Sequence, residues 1–281
     1  MKLTLQQFED PAAFKAAVFP LLLENEALYC VGLGAIDILI NEPKRYPAYT
    51  LAGLFLDGNV VGAAWILPPH PLGITAMPEG AIPELIKFAL TQKMPPPGVV
   101  GPPSVVELFL SPWLIAAKCG LKSRMAQRIF ELSRVNPFPA SAGAMRVAGE
   151  RDLGLLEQWN VEFSRDVGLG DDPILARDNA IHAIKNRSRF FWEVDGEVVA
   201  MTGLGGKTPS GIRITSVFTP PRRRGRGYAS SLVARLSERQ LHEGRRFCFL
   251  YADVANPVAN RIYQKIGYKA VSDSTYLAFQ Y

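Results

Sequence analysis

The sequence has few of the residues that build metal sites and disulfide frameworks. Its 281 residues include only 3 cysteines and 3 histidines. The cysteines, Cys30, Cys119 and Cys248, have no metal-ligand spacing, and their odd number leaves one of them unpaired in any set of disulfides. We expect reduced, mostly buried thiols and no metal site.

Long hydrophobic runs and a leader pattern are missing as well. The apolar runs have the length of a strand and are broken by proline, glycine or charge, whereas a membrane helix needs about 20 apolar residues. Residues 1–10 contain no apolar core typical of a signal peptide. We therefore expect a cytoplasmic protein with no membrane partner. A hydrophobic share of 48% at a net charge of +5 excludes a disordered chain.

The length predicts about two domains of roughly 150 residues each, and the sequence contains a faint internal repeat. Asp57-Gly58 and Asp195-Gly196 each stand between apolar runs, which is a hairpin signal. The same offset places the helical pattern of residues 153–167 on residues 15–29. We interpret this as a tandem duplication, with chance recurrence of a common hairpin as the alternative. The join is expected in the turn-rich segment 133–143, which gives domains 1–135 and 136–281.

Strands and helices alternate in the second half, which favours an α+β sheet with flanking helices. The predicted elements are a helix over 152–167, a polar stretch over 168–188, a hairpin over 190–205, a strand over 212–219, a helix over 228–243, a strand over 246–251, a helix over 257–266 and a strand over 274–279. In the first half, the proline-rich segment 94–103 is expected to be an exposed connection.

The densest charge in the sequence lies in one glycine turn. The run Arg222-Arg223-Arg224-Gly225-Arg226-Gly227 follows a strand that ends at two prolines, and a helix begins at Tyr228. Such a turn directs several backbone N–H groups at one anion, and the helix dipole and the arginines favour negative charge there. The turn therefore predicts a phosphate or pyrophosphate site, with an ordinary basic turn as the alternative. It matches neither the nucleotide-hydrolase phosphate loop nor the dinucleotide fingerprint.

A second pattern follows the next strand, at residues 256–268. Asn256 is a good N-cap, Pro257 suits the first helical position, and Gly267 ends the helix. Capping alone remains a sufficient role for Asn256. A place in the hydrophobic core remains a sufficient role for Tyr263.

Taken together, the two patterns resemble motifs A and B of the GNAT acyl-CoA N-acyltransferases. Arg222-x-x-Gly225-x-Gly227 resembles motif A, and Asn256-x-x-Ala259-x-x-x-Tyr263-x-x-x-Gly267-Tyr268 resembles motif B. The resemblance covers about residues 145–281. It implies the GNAT fold, a mixed and mostly antiparallel sheet, here in two tandem copies.

The resemblance also implies acetyl-CoA, or another acyl-CoA, as the donor substrate. The residues expected to bind it are Val217, Phe218, Thr219, Arg222, Arg223, Arg224, Gly225, Arg226, Gly227, Tyr228, Ala229, Asn256, Asn260 and Tyr263. The pyrophosphate would lie on the backbone amides of residues 223–229. The pantetheine arm would exchange hydrogen bonds with the strand that ends in residues 217–221.

These residue types suit the attack of an amine on a thioester. The backbone N–H of Val217 is the candidate for polarising the carbonyl, and Tyr263 is the candidate acid for the departing thiolate. Relatives often carry a glutamate at the end of the strand before motif B, where this sequence has Tyr251. Asp253, two residues further on, is the candidate base, with a solvated loop aspartate as the alternative.

The first half has no counterpart of the glycine turn. The duplication offset places it near Glu84, inside a helix-like run without glycine. We therefore interpret residues 1–135 as a degenerate GNAT-like domain that shapes the acceptor cleft or forms a dimer contact.

Three classes of function remain in view. The first is an N-acetyltransferase that acts on a small-molecule or peptide amine. For this class we expect a homodimer, and we expect residues 167–189 to cover the acceptor site. The second is an acyl-CoA-sensing module without turnover, which the missing glutamate favours. The third is a nucleic-acid binder, and it is disfavoured because the arginines are confined to one turn.

Overall fold

In the computed structural model, which describes residues 2–281, one sheet runs through the whole chain. Its strands are β1 (Leu3–Phe8), β2 (Thr50–Leu56), β3 (Asn59–Ile66), β4 (Leu72–Ile74), β5 (Gly98–Gly101), β6 (Gly120–Leu132), β7 (Ala144–Val147), β8 (Arg189–Val194), β9 (Glu197–Lys207), β10 (Gly211–Phe218), β11 (Phe247–Asp253) and β12 (Lys269–Gln280). Their spatial order is β1-β2-β3-β4-β5-β12-β6-β11-β10-β9-β8-β7. Neighbouring strands are antiparallel except for β4 with β5 and β10 with β11, which are parallel.

The helices are short and cover both faces of this sheet. They are α1 (Pro11–Leu23), α2 (Cys30–Asn41), α3 (Ile82–Leu90), α4 (Pro103–Ala117), α5 (Leu153–Asp166), α6 (Pro173–Lys185), α7 (Tyr228–His242) and α8 (Pro257–Ile266). Within the part of the chain that the structure describes, none of them has both the length and the hydropathy to cross a bilayer.

The two halves of the chain repeat the same order of elements. In each half a strand is followed by two helices, three strands, a helix, a strand, a helix and a final strand. The segment 133–143 connects the final strand of the first repeat, β6, to the first strand of the second, β7. The predicted tandem α+β fold is therefore confirmed.

The final strands of the two repeats are exchanged. β6 belongs to the first repeat by sequence, yet it pairs with β11 of the second. β12 belongs to the second repeat, yet it pairs with β5 of the first. The two exchanged strands also pair with each other from Lys269↔Glu131 to Gln280↔Gly120. Neither repeat completes its sheet from its own residues, so the division of the chain at residue 135 stays a prediction about domains.

The helices of the second repeat divide its sheet into two faces. Ile212 and Ile214 of β10 pack in the core beneath α7 and α8, which we call the α7/α8 face. Phe191 and Phe218 pack in the core beneath α5 and α6, which we call the α5/α6 face. Helix α2 of the first repeat lies on this second face, where Cys30 packs on Phe249 of β11.

Three local predictions are wrong. The polar stretch 168–188 contains helix α6, which buries only small residues, Ala176, Ala180 and Ala183, so it lacks the large apolar pattern that marks a helix. The segment 94–103 contains the paired strand β5 and is not simply an exposed connection. The helix expected over 15–29 spans Pro11–Leu23, because the Asp10 side chain accepts hydrogen bonds from Ala12 N and Ala13 N and fixes an earlier start.

An ion-pair network ties the edge strand β7 to the start of α5. Arg146 donates to both carboxylate oxygens of Asp152, at 2.7 and 2.9 Å, and its Nε donates to Glu193 at 2.6 Å. Gly149 N donates to the same Asp152 carboxylate at 2.8 Å. These bonds hold the pKa of Asp152 below its ordinary value, with the Arg146 guanidinium as the largest cause.

Replacing Asp152 with asparagine therefore tests a partly buried ion pair. We expect Asp152→Asn to lower the free energy of unfolding by about 2 kcal/mol at neutral pH. A lowered pKa means that the stabilisation is present above the unfolded-state pKa and is lost as the pH falls through the folded-state pKa. The gap to the wild type should therefore close below about pH 4 in urea denaturation. Asp171→Asn, in an exposed pair with Arg165, is the control. Equal effects of the two substitutions, or a gap independent of pH, would contradict the assignment.

Candidate functional site

The parallel strands β10 and β11 separate partway along their length. They pair only at Gly211↔Phe247, Ile212↔Cys248 and Arg213↔Phe249, although β10 continues to Phe218 and β11 to Asp253. Beyond Arg213 the facing edges of both strands carry no ladder partner. The result is a V-shaped cleft whose vertex lies at Arg213 and whose open end points towards the starts of α7 and α8.

A bulge in β10 accompanies this separation. The register with β9 passes from Thr215↔Gly203 directly to Phe218↔Met201, which leaves Ser216 and Val217 without partners in that ladder. Ser216 adopts a left-handed φ of +52°. The Thr202 hydroxyl donates to Thr215 O at 3.0 Å and supports the bulge from β9. The bulge turns the backbone of Val217 away from regular strand geometry beside the cleft.

The glycine turn lies at the open end of the cleft. Gly225 and Gly227 have φ of +79° and +77°, which a residue with a side chain adopts only with strain. Helix α7 begins at Gly227 without a side-chain cap. Within residues 2–281, no acceptor is found for the backbone N–H groups of residues 225–230. A row of unsatisfied donors at a helix N-terminus is an anion site.

The four arginines of the turn have different partners. Arg223 forms an ion pair with Glu197 of β9. Arg224 forms one with Asp166 of α5, and its Nε also donates to Thr219 O at 2.9 Å. These two side chains hold the turn against the protein. Arg222 and Arg226 are exposed and form no ion pair within the described chain, so they are available to an anionic ligand.

Two buried side-chain oxygens, one after β10 and one on α8, have no hydrogen-bond partner. They show which kind of ligand the cleft could hold. Thr219 Oγ1 follows β10 and Asn260 Oδ1 projects from the first turns of α8; each is buried without a hydrogen bond. The Asn260 amide nitrogen is used, because it donates to Asp253 O at 2.9 Å and to Asn256 O at 2.7 Å. These two oxygens can accept hydrogen bonds from the amide groups of a pantetheine arm. Together with the unpaired backbone N–H groups of the turn, they fit an acyl-CoA.

The other residues expected to bind the donor contribute mainly backbone. Phe218 packs its ring on Trp159 with centroids 5.7 Å apart, so only its main chain faces the cleft edge. Val217 and Tyr228 pack partly against the core of the α7/α8 face. Ala229 lies half-buried in the first turn of α7. The Asn256 carboxamide oxygen accepts from Ala259 N at 3.0 Å, which is the capping role left open by the sequence.

Tyr263 lies in the core of the α7/α8 face. It is 8% exposed, and its ring centroid lies 6.1 Å from that of Phe130 and 6.0 Å from that of Tyr268. Burial raises the pKa of Tyr263 to about 12. The phenol is therefore protonated at neutral pH, as a proton donor must be.

The strand position at which the resemblance led us to expect a glutamate is Tyr251, and Tyr251 binds the first repeat. The buried Tyr251 hydroxyl donates to Leu28 O at 2.7 Å, and burial raises the pKa of Tyr251 far above its ordinary value. Asp253 follows on the same side of β11, and its Oδ1 accepts from Ala255 N at 2.8 Å, as in a turn. It is half-buried at the strand end. Tyr251 is thus excluded as a base at neutral pH, and Asp253 retains one free carboxylate oxygen.

The first repeat has an inert counterpart of the turn. Its α3 begins after Glu79–Ala81 and carries Glu84 in the first turn. The helix presents no glycine-arginine loop, and its residues Ile82, Leu85 and Ile86 are buried in the core. Negative charge at a helix N-terminus repels an anion, so this end does not suit a pyrophosphate.

Several contacts that shape the site were missed by the sequence reasoning. The carboxylates that hold Arg223 and Arg224 lie 26 and 58 residues away in sequence, and no local pattern connects them. The linker also reaches the site, because Ser141 N donates to Ser231 Oγ of α7 at 2.8 Å. In residues 2–281, no three His, Cys, Asp or Glu side chains form a group suited to a metal.

Comparison with known proteins agrees with this geometry. Residues 154–268 match the sequence profile described as "Acetyltransferase (GNAT) family". The match confirms the resemblance carried by residues 222–227 and 256–268. No curated protein matches the sequence significantly.

Solved structures with the same fold span almost the whole chain. A GCN5-related N-acetyltransferase from Sphaerobacter thermophilus is 15% identical, with a TM-score of 0.62 over 98% of this chain and 94% of that one. A tandem GNAT protein from the clavulanic acid biosynthesis pathway is 14% identical, with a TM-score of 0.57 over 98% of both chains. A GNAT-family acetyltransferase from Colwellia psychrerythraea is 11% identical, with a TM-score of 0.57 over 99% of this chain and 100% of that one. At these identities the likeness establishes the tandem fold alone.

The Tyr251 hydroxyl offers a test of how the first repeat is attached. Tyr251→Phe leaves the half-buried Leu28 carbonyl without its donor, so we expect the free energy of unfolding to fall by about 1–3 kcal/mol. Tyr49→Phe removes the same kind of bond, from Tyr49 to Glu9 O at 2.8 Å, in an exposed setting. Water replaces that bond, and the change should stay within about 0.5 kcal/mol. Chemical denaturation of both variants checks the comparison, and a Tyr251→Phe variant as stable as the wild type would contradict it.

Proposed function

Because residues 154–268 form a domain of the GNAT acetyltransferase family, whose chemistry is acyl transfer, we propose that this protein transfers an acetyl group from acetyl-CoA to a primary amine. The amine attacks the thioester directly while both substrates are bound. The observation that carries the proposal is the cleft between β10 and β11 with the uncapped, glycine-rich start of α7 at its mouth. The same helix end in the first repeat is acidic, so we assign catalysis to residues 136–281.

The cleft supplies three kinds of contact to the donor. The amides of residues 225–229 bind the pyrophosphate, with the exposed Arg222 and Arg226 as additional donors. The free edge of residues 217–219 accepts the pantetheine arm as an added strand. The two unpartnered oxygens, Thr219 Oγ1 and Asn260 Oδ1, accept from its amide N–H groups. Arg223 and Arg224 position the turn through Glu197 and Asp166.

Acetyl-CoA supplies an activated acyl thioester. In this proposal the Val217 N–H, which the bulge at Ser216 removes from the ladder, polarises the carbonyl and stabilises the oxyanion. The Tyr263 phenol gives a proton to the thiolate. With a pKa of about 12, this phenol is a weaker acid than a thiol of pKa about 8.5. Proton transfer from the phenol to the thiolate is therefore uphill by roughly 3.5 pKa units, and Tyr263 acts late, after charge has accumulated on sulfur.

The acceptor amine must lose a proton before it attacks. Asp253 is the candidate base, either directly or through water, because one of its oxygens remains free at the end of β11. Tyr251 blocks the other strand position by its bond to Leu28 O. The first repeat, residues 1–135, has no donor site in this proposal, and it forms a wall of the acceptor cleft.

An acyl-CoA sensor without turnover is the second candidate. The observation that favours it is that Tyr251, at the strand position where a glutamate base was expected, binds the first repeat through Leu28 O. A sensor binds acetyl-CoA but releases no CoA thiol in the presence of amines, so turnover separates the two candidates.

Acetyl-CoA binding is the first test. We expect calorimetric titration to give a Kd near micromolar for the wild type. We expect no binding for Gly225→Asp/Gly227→Asp, because two carboxylates in the turn would repel the pyrophosphate and fill the space in front of the backbone amides. Gly58→Asp/Gly196→Asp is the matched control, because both glycines have positive φ and open space around them in the hairpins. It should bind as the wild type does. A folded wild type that does not bind acetyl-CoA would contradict the proposal.

The role of Tyr263 is tested by its loss. For Tyr263→Phe we expect kcat to fall about a hundredfold, as for loss of a general acid, with little change in the Kd of acetyl-CoA. Tyr268→Phe is the control in the same core, where the hydroxyl bonds Ser237 at 2.7 Å. It should lose stability and keep kcat. An unchanged kcat in Tyr263→Phe would remove the phenol from the mechanism.

A further inference from the structure

One buried charge on the α5/α6 face has no structural partner. Arg189 at the start of β8 is 7% exposed, and its Nε and Nη1 are buried without any hydrogen bond. Within residues 2–281 no carboxylate forms an ion pair with it, and burial alone acts on its pKa, lowering it to about 10. Arg189 therefore remains a cation at neutral pH with nothing in the chain to neutralise it.

Such an arrangement is costly. Buried guanidinium groups in folded proteins are paired and hydrogen-bonded, because each unsatisfied donor loses its hydration. Arg146, on the neighbouring strand β7, follows this rule, because it pairs with Asp152 and Glu193. Folding alone gives no reason to keep Arg189, and a partner from outside the chain does.

A second arginine lies on the same face of the sheet. Arg189 is paired with Gly203 of β9, and Arg213 of β10 is paired with Gly205. Residues opposite each other in antiparallel strands, and residues two apart in one strand, point to the same face. Arg213 Nε is also buried without a partner, and its Nη1 makes one long contact, 3.4 Å, with Thr215 Oγ1.

Two glycines of β9, Gly203 and Gly205, leave the space that the two guanidinium groups occupy. A Cβ at position 203 would lie 2.7 Å from Arg189 Nη1, and one at 205 would lie 3.3 Å from Arg213 Nη2. Positions two apart in a strand are separated by about 7 Å. The two guanidinium groups thus lie over neighbouring positions of β9, and Arg213 marks the vertex of the cleft.

The surrounding groups add positive charge and little negative charge. Burial and the nearby Arg45 and Arg213 lower the pKa of His70, so its ring is neutral at neutral pH. The Glu26 carboxylate, which approaches from the first repeat, is occupied by Ser210 N and Oγ at 2.9 and 2.5 Å. Helix α6 contributes Asn179, which accepts from Arg45.

Resting on the proposed acetyl transfer, we propose that the acceptor amine also carries an anionic group, a carboxylate or a phosphate, and that Arg189 and Arg213 bind this group on the α5/α6 face. The donor enters from the turn at the start of α7, on the opposite face. The cleft connects the two faces next to Arg213. Planar guanidinium forks are suited to both kinds of oxyanion.

A binding experiment tests this without knowledge of the acceptor. With CoA present to occupy the turn, succinate and inorganic phosphate are compared with neutral succinamide in thermal unfolding at tens of millimolar. We expect one or both anions to raise the Tm of the wild type above the value in succinamide. In Arg189→Met this difference should vanish. The same Tm shift in both proteins, or no difference between anions and succinamide in the wild type, would overturn the proposal.

Stability separates a ligand-binding role from a structural one. Methionine fills similar space without a buried charge, so Arg189→Met should be at least as stable as the wild type without ligand. Arg146→Met, which breaks a satisfied network, should be less stable. If Arg189→Met unfolds at a lower temperature by as much as Arg146→Met does, Arg189 is structural and the proposal is wrong.

Turnover then distinguishes the two anions. Glycine is compared with glycinamide, and phosphoethanolamine with ethanolamine, by release of the CoA thiol. For the favoured pair we expect kcat/KM to be roughly ten- to a hundredfold higher for the anionic member, and nearly equal values in Arg189→Met. Failure of acetyl-CoA to bind would contradict the proposed function alone. The thermal unfolding experiment would still decide whether the α5/α6 face binds anions.

Discussion

The exchange of β6 and β12 is the constraint on which the rest of the structure depends. Because β6 pairs along the edge of β11, the first repeat is attached directly beside the cleft of the second. Its turn before α2 then reaches the α5/α6 face, where Leu28 O accepts from Tyr251 and Glu26 accepts from Ser210. An independent domain on a flexible linker would not hold these contacts. In the proposed function, the acceptor side of the cleft is therefore built from both repeats, and the donor side from the second repeat alone.

The two repeats share a fold but differ in what their equivalent helix ends do. At α7 the backbone donors remain open, two glycines take left-handed φ, and arginines surround them. At α3 an acidic first turn complements the helix dipole, and the helix instead buries a large apolar surface. In the proposed function, this difference between the two helix ends separates the catalytic repeat from the supporting one. The first repeat is attached through this same site, because the Tyr251 hydroxyl donates to Leu28 O.

The accuracy of sequence reasoning followed how local each signal was. Helix α8 was predicted to the residue, because Asn256, Pro257 and Gly267 act within one turn of its ends. The glycine turn and both hairpins were found for the same reason. The exchange of final strands was not predictable, since it pairs residues near 125 with residues near 275 through backbone bonds that leave no pattern. Helix α6 was missed because its buried residues are alanines, and the partners of Arg223 and Arg224 were missed because they are distant in sequence.

The unsatisfied polar groups of this chain are not scattered. Among residues 2–281, the buried side-chain atoms without partners belong to Thr219 and Asn260 beside the donor cleft, Arg189 and Arg213 on the opposite face, and Trp113 in the first repeat. A protein selected only for stability would satisfy or replace such groups. All of them except the Trp113 nitrogen belong to the second repeat. In the two proposals above, ligands complete these groups: the oxygens without donors bind the acyl-CoA, and the cations without anions bind the acceptor. The sequence signal for the latter was present as an arginine at an inward position of the apolar strand β8, opposite a glycine, and it became interpretable only when the strand register placed Arg213 on the same face.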